Sequence, residues 1–572
     1  MSDIFQSIKL KRPQSSLFNL SHSNKLTGNF GYLYPFWYED TLPGDTWRAS
    51  SSVIVRMPAL LAPLMHDVDI CLNFFQVPYR LLWSHWDKFV SGGLDGKETP
   101  AMPYFGVKSS GIANYFSTRS LADYLGVSEF SVSGSGGAVN INALPFLAYY
   151  LVWSQYFRDA NLEDTFEEDG NPLIEWDGDL TTVSGPNTNW TQFLQLRKCA
   201  WTKDYFTSAL PFAQRGDSVE IPLDFESTDL IVKRRASSNP NGDWWQYANG
   251  SPIPEIAMSA GLNGALTLGT RMTSGIPESS ANALALKSDI IATSTAKQGI
   301  DVSKMITYDP QGSLYATLPE YASADINDLR QAAALQRWLE TSARGGSRYI
   351  EQIYAHFGVR SSDARLQRVQ YLGGYRIPIQ VSDVMQTSQS TSDSVLGDYA
   401  GRGVAAGSTH SISARCEEFG CIIGVACVRP KTGYMQGIRR HLLKTDKYDY
   451  YFPEFAHLGE QAIYNAEIYA QSAQSTTEGQ RALDTFGYTP RYAEYKSHPN
   501  EVHGEFKDSL DYWHLARKFS SLPKLNAEFV QCSPEYNIFP VMEENEDHFY
   551  MEFYNKVIAR RLMPYHGIPS LM

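Results

Sequence analysis

No apolar run in this sequence is long enough to cross a membrane. The longest, Ala143 to Trp153, spans eleven residues, against the ~20 that a bilayer requires. Cysteine is scarce too: six residues, at 71, 199, 416, 421, 427 and 532, form no CxxC and no paired metal-ligand spacing. They read as reduced thiols, and Cys416, Cys421 and Cys427 surround an apolar run where cysteine serves as a small core residue. The opening MSDIFQSIKLKRPQSS lacks the apolar block of a signal peptide, so export is not expected and the chain should be made and kept in the cytoplasm. Charge is sparse at 19%, with a net value of −13. That speaks against a free nucleic-acid binder, whose basic residues must offset closely spaced phosphates, and does not exclude a container for nucleic acid.

Catalytic and cofactor motifs are also missing. Gly92-Gly93-Leu94-Asp95-Gly96-Lys97-Glu98 is one residue short of a phosphate loop and has Glu98 where Ser or Thr is required. Gly401-Arg402-Gly403-Val404-Ala405-Ala406-Gly407 misses the dinucleotide glycine spacing by one. Among twelve histidines there is no HExxH, and His457-Leu458-Gly459-Glu460 lacks the second ligand of that zinc geometry. His22, His66, His356 and His457 read as hydrogen-bonded structural residues. The acidic group Glu163, Asp164, Glu167, Glu168 and Asp169 has oxygen ligands suited to calcium but no defined loop spacing, and reads as a solvated loop. With no Gly-x-Ser-x-Gly elbow and only scattered carboxylates, neither an enzyme nor a bound cofactor is expected.

Aromatics, in contrast, reach 13%, including 34 tyrosines. Tyrosine suits surfaces that become buried against a partner, because its ring is apolar while its hydroxyl can stay wet or bonded. At this length, beyond the ~250–300 residues at which one core stops growing, more than one unit or one heavily decorated unit is expected. Residues 1 to 16 read as a flexible arm with Lys9, Lys11 and Arg12 close together. Strands follow at Val53 to Met57 and Val68 to Val77; in the latter, Val68, Ile70, Leu72 and Phe74 share one face. Leu42-Pro43-Gly44-Asp45 marks a turn. Helical spacing appears after Pro78, with Leu82, Trp86 and Phe89 on one side and Gly92-Gly93 as the stop, and again from Leu144 to Asp159. Asp325 caps a further helix, and Ile350 to Phe357 forms another that ends at Gly358. Later strands are expected at Ile377 to Val381 and Cys421 to Val428. Short strands with long connections and no βαβ rhythm predict a mainly β chain, an antiparallel sandwich or jelly roll.

Between 227 and about 318, half the residues are Gly, Ala, Ser, Thr or Asn, and periodicity is weak, so this stretch reads as an insertion. The expected organisation is a basic arm (1–16), a first part of the β core with helical loops (17–226), the insertion (227–318), and a second part of the core with a C-terminal extension (319–572). Trp244, Trp245 and Tyr247 lie among turn residues within the insertion, a pattern found at contact sites.

Long colinear blocks carry a family resemblance: FNLSHSNKLTGNFGYLYPFWYEDTLPGDTWR (18–48), MPALLAPLMHDVDICLNFFQVPYRLLWSHWDKFVSGG (57–93), ARGGSRYIEQIYAHFGVRSSDARLQRVQYLGG (343–374), EEFGCIIGVACVRPKTGYMQGIRR (417–440) and YDYYFPEFAHLGEQAIYNAEIYA (448–470). The chain resembles the major capsid proteins of microviruses, small icosahedral single-stranded DNA bacteriophages, in their gokushovirus-like branch. The resemblance implies an eight-stranded antiparallel jelly roll of the viral capsid type with long loop insertions and a few helices. It implies sixty copies closing a T=1 shell around circular single-stranded DNA, found in the virion and assembled in the host bacterial cytoplasm. Expected partners are the chain itself, the packaged DNA, a small basic DNA-binding protein, an internal scaffolding protein, a DNA pilot protein and a host cell-surface receptor.

On that reading Arg344, Arg348, Arg360, Arg365 and Arg368 anchor contacts between subunits or tie loops within one. Lys9, Lys11, Arg12, Arg439, Arg440 and His441 are candidates for DNA contact, and the insertion, with Trp244, Trp245 and Tyr247, forms a threefold protrusion for host attachment. A bound divalent cation finds no support in the sequence. The rival readings are a secreted or surface β-sandwich that binds carbohydrate through those aromatics, and a hydrolase on a β-sandwich.

Overall fold

The computed structural model describes residues 14–93, 97–129, 139–164, 174–182, 190–214, 216, 232–234, 245–247, 306–308, 314–316, 326–345, 355, 368–385, 399–543 and 545–566. Eleven strands make two antiparallel sheets: β1 (Ser16–Asn19), β2 (His22–Gly28), β3 (Tyr34–Thr41), β4 (Thr46–Leu60), β5 (Val68–Pro78), β6 (Gln370–Pro378), β7 (Gln380–Met385), β8 (Tyr399–Ser408), β9 (Ile412–Arg415), β10 (Gly420–Pro430) and β11 (Phe549–Arg561). The larger sheet runs β1-β11-β4-β8-β7, with β2 also on β11 and β9 also on β4. The smaller runs β6-β5-β10-β3.

Side-chain period decides how each sheet is covered. In β11 burial alternates almost without a break, so Phe549, Met551, Phe553, Val557 and Ala559 enter the core while Tyr550, Glu552, Tyr554 and Lys556 face solvent, as expected of an antiparallel sheet wetted on one side. The smaller sheet is covered on both sides. Val68, Ile70, Leu72 and Phe74 of β5, with Ile422, Ala426 and Val428 of β10, meet the larger sheet. Phe75, Val77, Cys421, Ile423, Val425 and Cys427 point the other way, into a second core.

Phe36 joins the two sheets. Its ring stacks on Phe553 at 4.5 Å and lies edge-on to Phe74 at 5.7 Å. It occupies a bulge: the pairing of β10 with β3 jumps from Gly424 opposite Trp37 to Val425 opposite Pro35, which leaves Phe36 as the extra residue and turns it inward. Gly424 makes room, since a Cβ there would lie 2.8 Å from the Phe36 ring.

The second core is built around helix α1 (Leu144–Tyr156), which is apolar on almost every side and buries ten residues; a helix of that kind belongs inside a protein. The helix expected after Pro78 is shorter than its periodicity suggests, covering only Trp86–Ser91 and ending at Gly92 with φ 76°. Residues 82–84 are drawn off by Ile174: its N–H donates to the Leu82 carbonyl, its carbonyl accepts from Ser84, and Trp83 is buried. Tertiary contacts override the helical spacing there.

The connections between β5 and β6 and between β10 and β11 are long, and they leave the smaller sheet from opposite ends, because Gln370 pairs with Gln76 whereas Pro430 pairs with Val68. The β10–β11 connection carries its own small core around Tyr434, Ile463, Ile468, Phe486 and Phe529, with Tyr205 and Phe206. Residues 219–335 cluster as a separate unit, and the expected insertion of 227–318 falls inside it. Its described strands form two antiparallel pairs, Val232–Arg234 with Leu314–Ala316 and Trp245–Tyr247 with Ile306–Tyr308. Helix α2 (Ile326–Gly345) begins one residue after the expected cap Asp325. Asp325 and, apart from Ala355, the residues of the helix expected from Ile350 to Phe357 lie outside the described residues.

All six cysteines are buried and free. The Gly401–Gly407 segment lies within strand β8, with Val404 to Gly407 paired to β4.

Candidate interaction surfaces

Among the described residues, the β10–β11 connection presents a run of exposed apolar side chains: Leu442 at 76%, then Tyr448, Tyr450, Tyr451, Phe452 and Leu458, each close to half exposed or more. Monomeric proteins rarely expose contiguous apolar area of this kind without a partner. The run is held stiff. Tyr492 lies beneath it in the left-handed region, φ 59°, and its single hydroxyl proton is shared between the Tyr448 and Tyr450 carbonyls, each 3.1 Å away. Arg491 Nη2 adds a bond to the Tyr448 carbonyl, and Tyr451 meets the Tyr492 ring edge-on at 5.3 Å. A non-glycine residue at positive φ costs about 1–2 kcal/mol, so this tyrosine persists because its surroundings fix it. Ordering the ridge in advance lowers the entropy lost when a partner covers it.

Ion pairs anchor the same lobe from within. Arg440 Nη1 donates to Glu467 Oε1 at 2.8 Å and to the Ala462 carbonyl at 3.0 Å, and its guanidinium lies 4.2 Å from the centre of the Tyr464 ring. Glu467 also accepts from Tyr205 Oη and from the Tyr464 amide. Both partners are nearly out of solvent, at 8% and 2% side-chain exposure, and burial pushes the Glu467 carboxyl up against the pull of Arg440. Lys444 pairs with Glu494 at 3.0 Å and sits 3.9 Å from the centre of the Tyr495 ring. For Glu494, burial works upward, but hydrogen bonds from Gln461 and Lys444 leave its carboxyl below the usual range.

The structure places Arg440 in this scaffold, with its charge neutralised, and not on a surface open to DNA. Arg439, also expected at DNA, is gripped by Glu501 through Nε at 2.8 and 2.7 Å, and His503 adds a contact to the same carboxylate. The His441 ring meets Tyr495 edge-on at 5.8 Å. Of the hallmark arginines, Arg344 is ion-paired with the buried carboxylate of Glu460, and Arg368 donates to Tyr156 Oη at 2.9 Å and lies over that ring. Both contacts lie within the chain. Arg348, Arg360, Arg365, Lys9, Lys11, Arg12 and Trp244 lie outside the described residues. Trp245 and Tyr247 fall on the short strand paired with Ile306–Tyr308.

The acidic loop also begins inside the scaffold. Glu163 is buried and accepts from Gln531 Nε2 at 2.6 Å and from the Asp159 amide; Glu167, Glu168 and Asp169 lie outside the described residues. Among the described residues no group of three or more His, Cys, Asp or Glu is placed to hold a metal ion. His22 and His66 contact the Leu20 and Lys431 carbonyls, the structural role expected of them.

Sequence reasoning passed over the ridge itself. Its signal was present in Tyr448-Asp449-Tyr450-Tyr451-Phe452, four aromatics in five residues, with the spacing of neither a buried helix nor an alternating strand.

An antiparallel β-sandwich with long insertions and an exposed aromatic ridge has the form of a coat subunit, a protein whose surfaces are shared with neighbours. Comparison with known proteins agrees. The family model described as "Capsid protein (F protein)" matches residues 5–571. "Capsid protein VP1" of Chlamydia phage 1 is 32% identical over 100% of this chain and 98% of its own length. The proteins of the same name from Bdellovibrio phage phiMH2K and Spiroplasma virus 4 are 35% and 28% identical, over 91% and 98% of this chain and 88% and 95% of theirs. The chain belongs to this phage capsid family, the microvirus major capsid proteins in their gokushovirus-like branch. It is a structural protein of the virion.

Proposed function

We propose that sixty copies of this chain close a T=1 shell around a circular single-stranded DNA genome, and that each subunit is an eight-stranded jelly roll. The strand order supports the fold. β2, β3, β4, β5, β6, β8, β10 and β11 visit the larger and smaller sheets in the sequence larger, smaller, larger, smaller, smaller, larger, smaller, larger, which is the winding of two interleaved Greek keys. β1, β7 and β9 are additions at the margins of the larger sheet.

The observation that carries the shell reading is the aromatic ridge at 442–458, exposed in the subunit and braced by Tyr492. Closed symmetry requires each subunit to bury several distinct patches against neighbours, and rigid aromatics supply contact area at low entropic cost. The segment 227–318 forms the threefold protrusion that attaches to a host receptor. Because the chain is acidic overall, a small basic packaged protein neutralises most of the genome charge, assisted by Lys9, Lys11 and Arg12. An internal scaffolding protein and a DNA pilot protein complete assembly in the bacterial cytoplasm.

Negative-stain microscopy of the purified protein, alone and co-expressed with its phage partners, tests the reading. Uniform isometric particles with bumps on the threefold axes are expected. Monomers or small oligomers in both samples would overturn it.

A further inference from the structure

The solvent-facing side of the larger sheet has a charge unlike the rest of the chain. Arg48 and Arg56 of β4, Arg402 of β8, Arg415 of β9, and Lys556 and Arg560 of β11 all point outward and are exposed. Among the described residues none of these six is paired with a carboxylate. Lys25 of β2 adds a seventh cation, paired with Glu552 of β11 at 3.2 Å. This collection belongs to a protein whose net charge is −13.

Register turns these residues into rows. Arg560 pairs with Thr46, which pairs on its other side with Arg415, while Arg48 lies between Ile558 and Ser413. At the other end of the same strands Arg56 lies between Tyr550 and Val404. Residues on one face of a strand recur every ~7 Å, and neighbouring strands lie ~4.8 Å apart, so the cations stand at spacings comparable to successive phosphates of an extended chain. Tyr550 and Tyr554 rise from β11 between them, each about half exposed.

Beside Arg56 the face opens into a groove of about 550 Å³ bordered by Lys25, Ile54, Arg56, Arg119, Tyr124 and Tyr550, with Asp123 and Glu552 also on its wall, within the ~300–1,000 Å³ usual for ligand sites; Arg119 is itself paired with Asp547, so Arg56 is the cation left for a phosphate there.

We propose that this outer face of the larger sheet is the genome-contacting surface of the subunit, gripping single-stranded DNA by its phosphates and taking an unpaired base into the groove against Tyr550. The proposal rests on the shell reading above and names the surface and residues that would serve it. Unpaired cations interleaved with exposed aromatic rings are what single-stranded nucleic acid requires, phosphates being met by charge and bases by stacking. A duplex would leave the tyrosines without an open base face. Ser15, which accepts from the Arg560 guanidinium, directly precedes β1 on the edge of this sheet, and in the sequence Lys9, Lys11 and Arg12 come a few residues before it.

Two measurements decide it. The first titrates the purified full chain with a fluorescent oligothymidylate at increasing salt. Replacing Arg48, Arg415 and Arg560 together by Gln should lower the slope of log affinity against log salt by about 2, at about 0.7 for each phosphate that is no longer neutralised. Tyr550→Leu should leave that slope unchanged while weakening binding roughly 5- to 150-fold. An unchanged slope in the triple variant, with its circular dichroism intact, would overturn the proposal. The second uses the unaltered protein and compares acetylation of Lys556 in DNA-filled and DNA-free shells. Protection in filled shells alone is expected. Protection in both would mean that a neighbouring copy covers the face, and reactivity in both that DNA lies elsewhere; either result overturns it. Should no shells form, the shell reading fails, and the salt titration of the free subunit still decides the surface.

Discussion

At Gly31 the backbone has φ 77°, and a Cβ would sit 1.9 Å from the Cys532 carbonyl oxygen. Gly126 has φ 97° with nothing within 4 Å. The two positions separate backbone strain from collision. Gly126→Ala should cost about 1–2 kcal/mol, the penalty of the left-handed region alone, whereas Gly31→Ala must also displace a backbone carbonyl and should cost more than about 2 kcal/mol. Urea unfolding of the two variants checks the order, and equal losses would refute the close packing of 31 against 532. The Arg440–Glu467 pair makes a different case, because removing one member strands the other. Arg440→Met leaves a buried carboxylate without its cation and should cost about 3–5 kcal/mol. The double variant with Glu467→Gln should recover most of that loss. A deficit as large in the double variant as in the single one would mean that packing, not charge, holds the lobe.

Elements differ in how far their sequences disclose them. β5 announces one buried face through Val68, Ile70, Leu72 and Phe74, all of which enter the sandwich core. Its second buried face, carried by Phe75 and Val77, depends on α1 arriving from a distant part of the chain, and no local period encodes that. The bulge at Phe36 is hidden for the same reason, since it exists only in the pairing of β3 with β10. The ridge on the β10–β11 connection behaves as an element with its own chemistry. Leu442→Ser with Tyr450→Ser should change subunit stability by no more than about 0.5 kcal/mol per site, both being exposed. Each subunit contact centred on the ridge should weaken by about 2 kcal/mol or more, roughly 30-fold. Light scattering would then show folded subunits that fail to assemble, and normal particle yield would remove the ridge from the interface.

The same connection should respond to acid. The carboxyls of Glu494, Glu501 and Asp449 all end below their usual range, where hydrogen bonds and cationic neighbours outweigh the upward push of burial. Groups depressed in this way contribute stability that is fully present above their unfolded values near ~4 and is lost as pH falls through the folded ones. Glu467, raised by burial, acts in the opposite sense and softens the loss. Glu494→Gln should therefore flatten the acid limb of the stability curve; an unaltered limb would mean that other carboxylates control it.

For the whole molecule, family membership was legible because long motif blocks survive in order, from 18–48 at one end to 448–470 in the final third. The contact surfaces were much less so. Arg440 and Arg368 stand out in a sequence as charges, and only folding reveals that one is neutralised by Glu467 and the other laid over Tyr156. The cations of the larger sheet show the reverse, scattered from Lys25 to Arg560 and drawn onto one face by strand pairing. Charge in this chain thus takes its meaning from topology. A division of labour follows as well, since both sheets, their cores and the 442–458 ridge are formed outside the 219–335 unit. A particle whose subunits lack 240–310 should therefore still assemble, with sedimentation close to that of the parent shell, while losing adsorption to host cells. If such particles adsorb normally, attachment belongs to another surface; if no particles form, residues 240–310 contribute to shell closure, and the protrusion cannot be a separable attachment device.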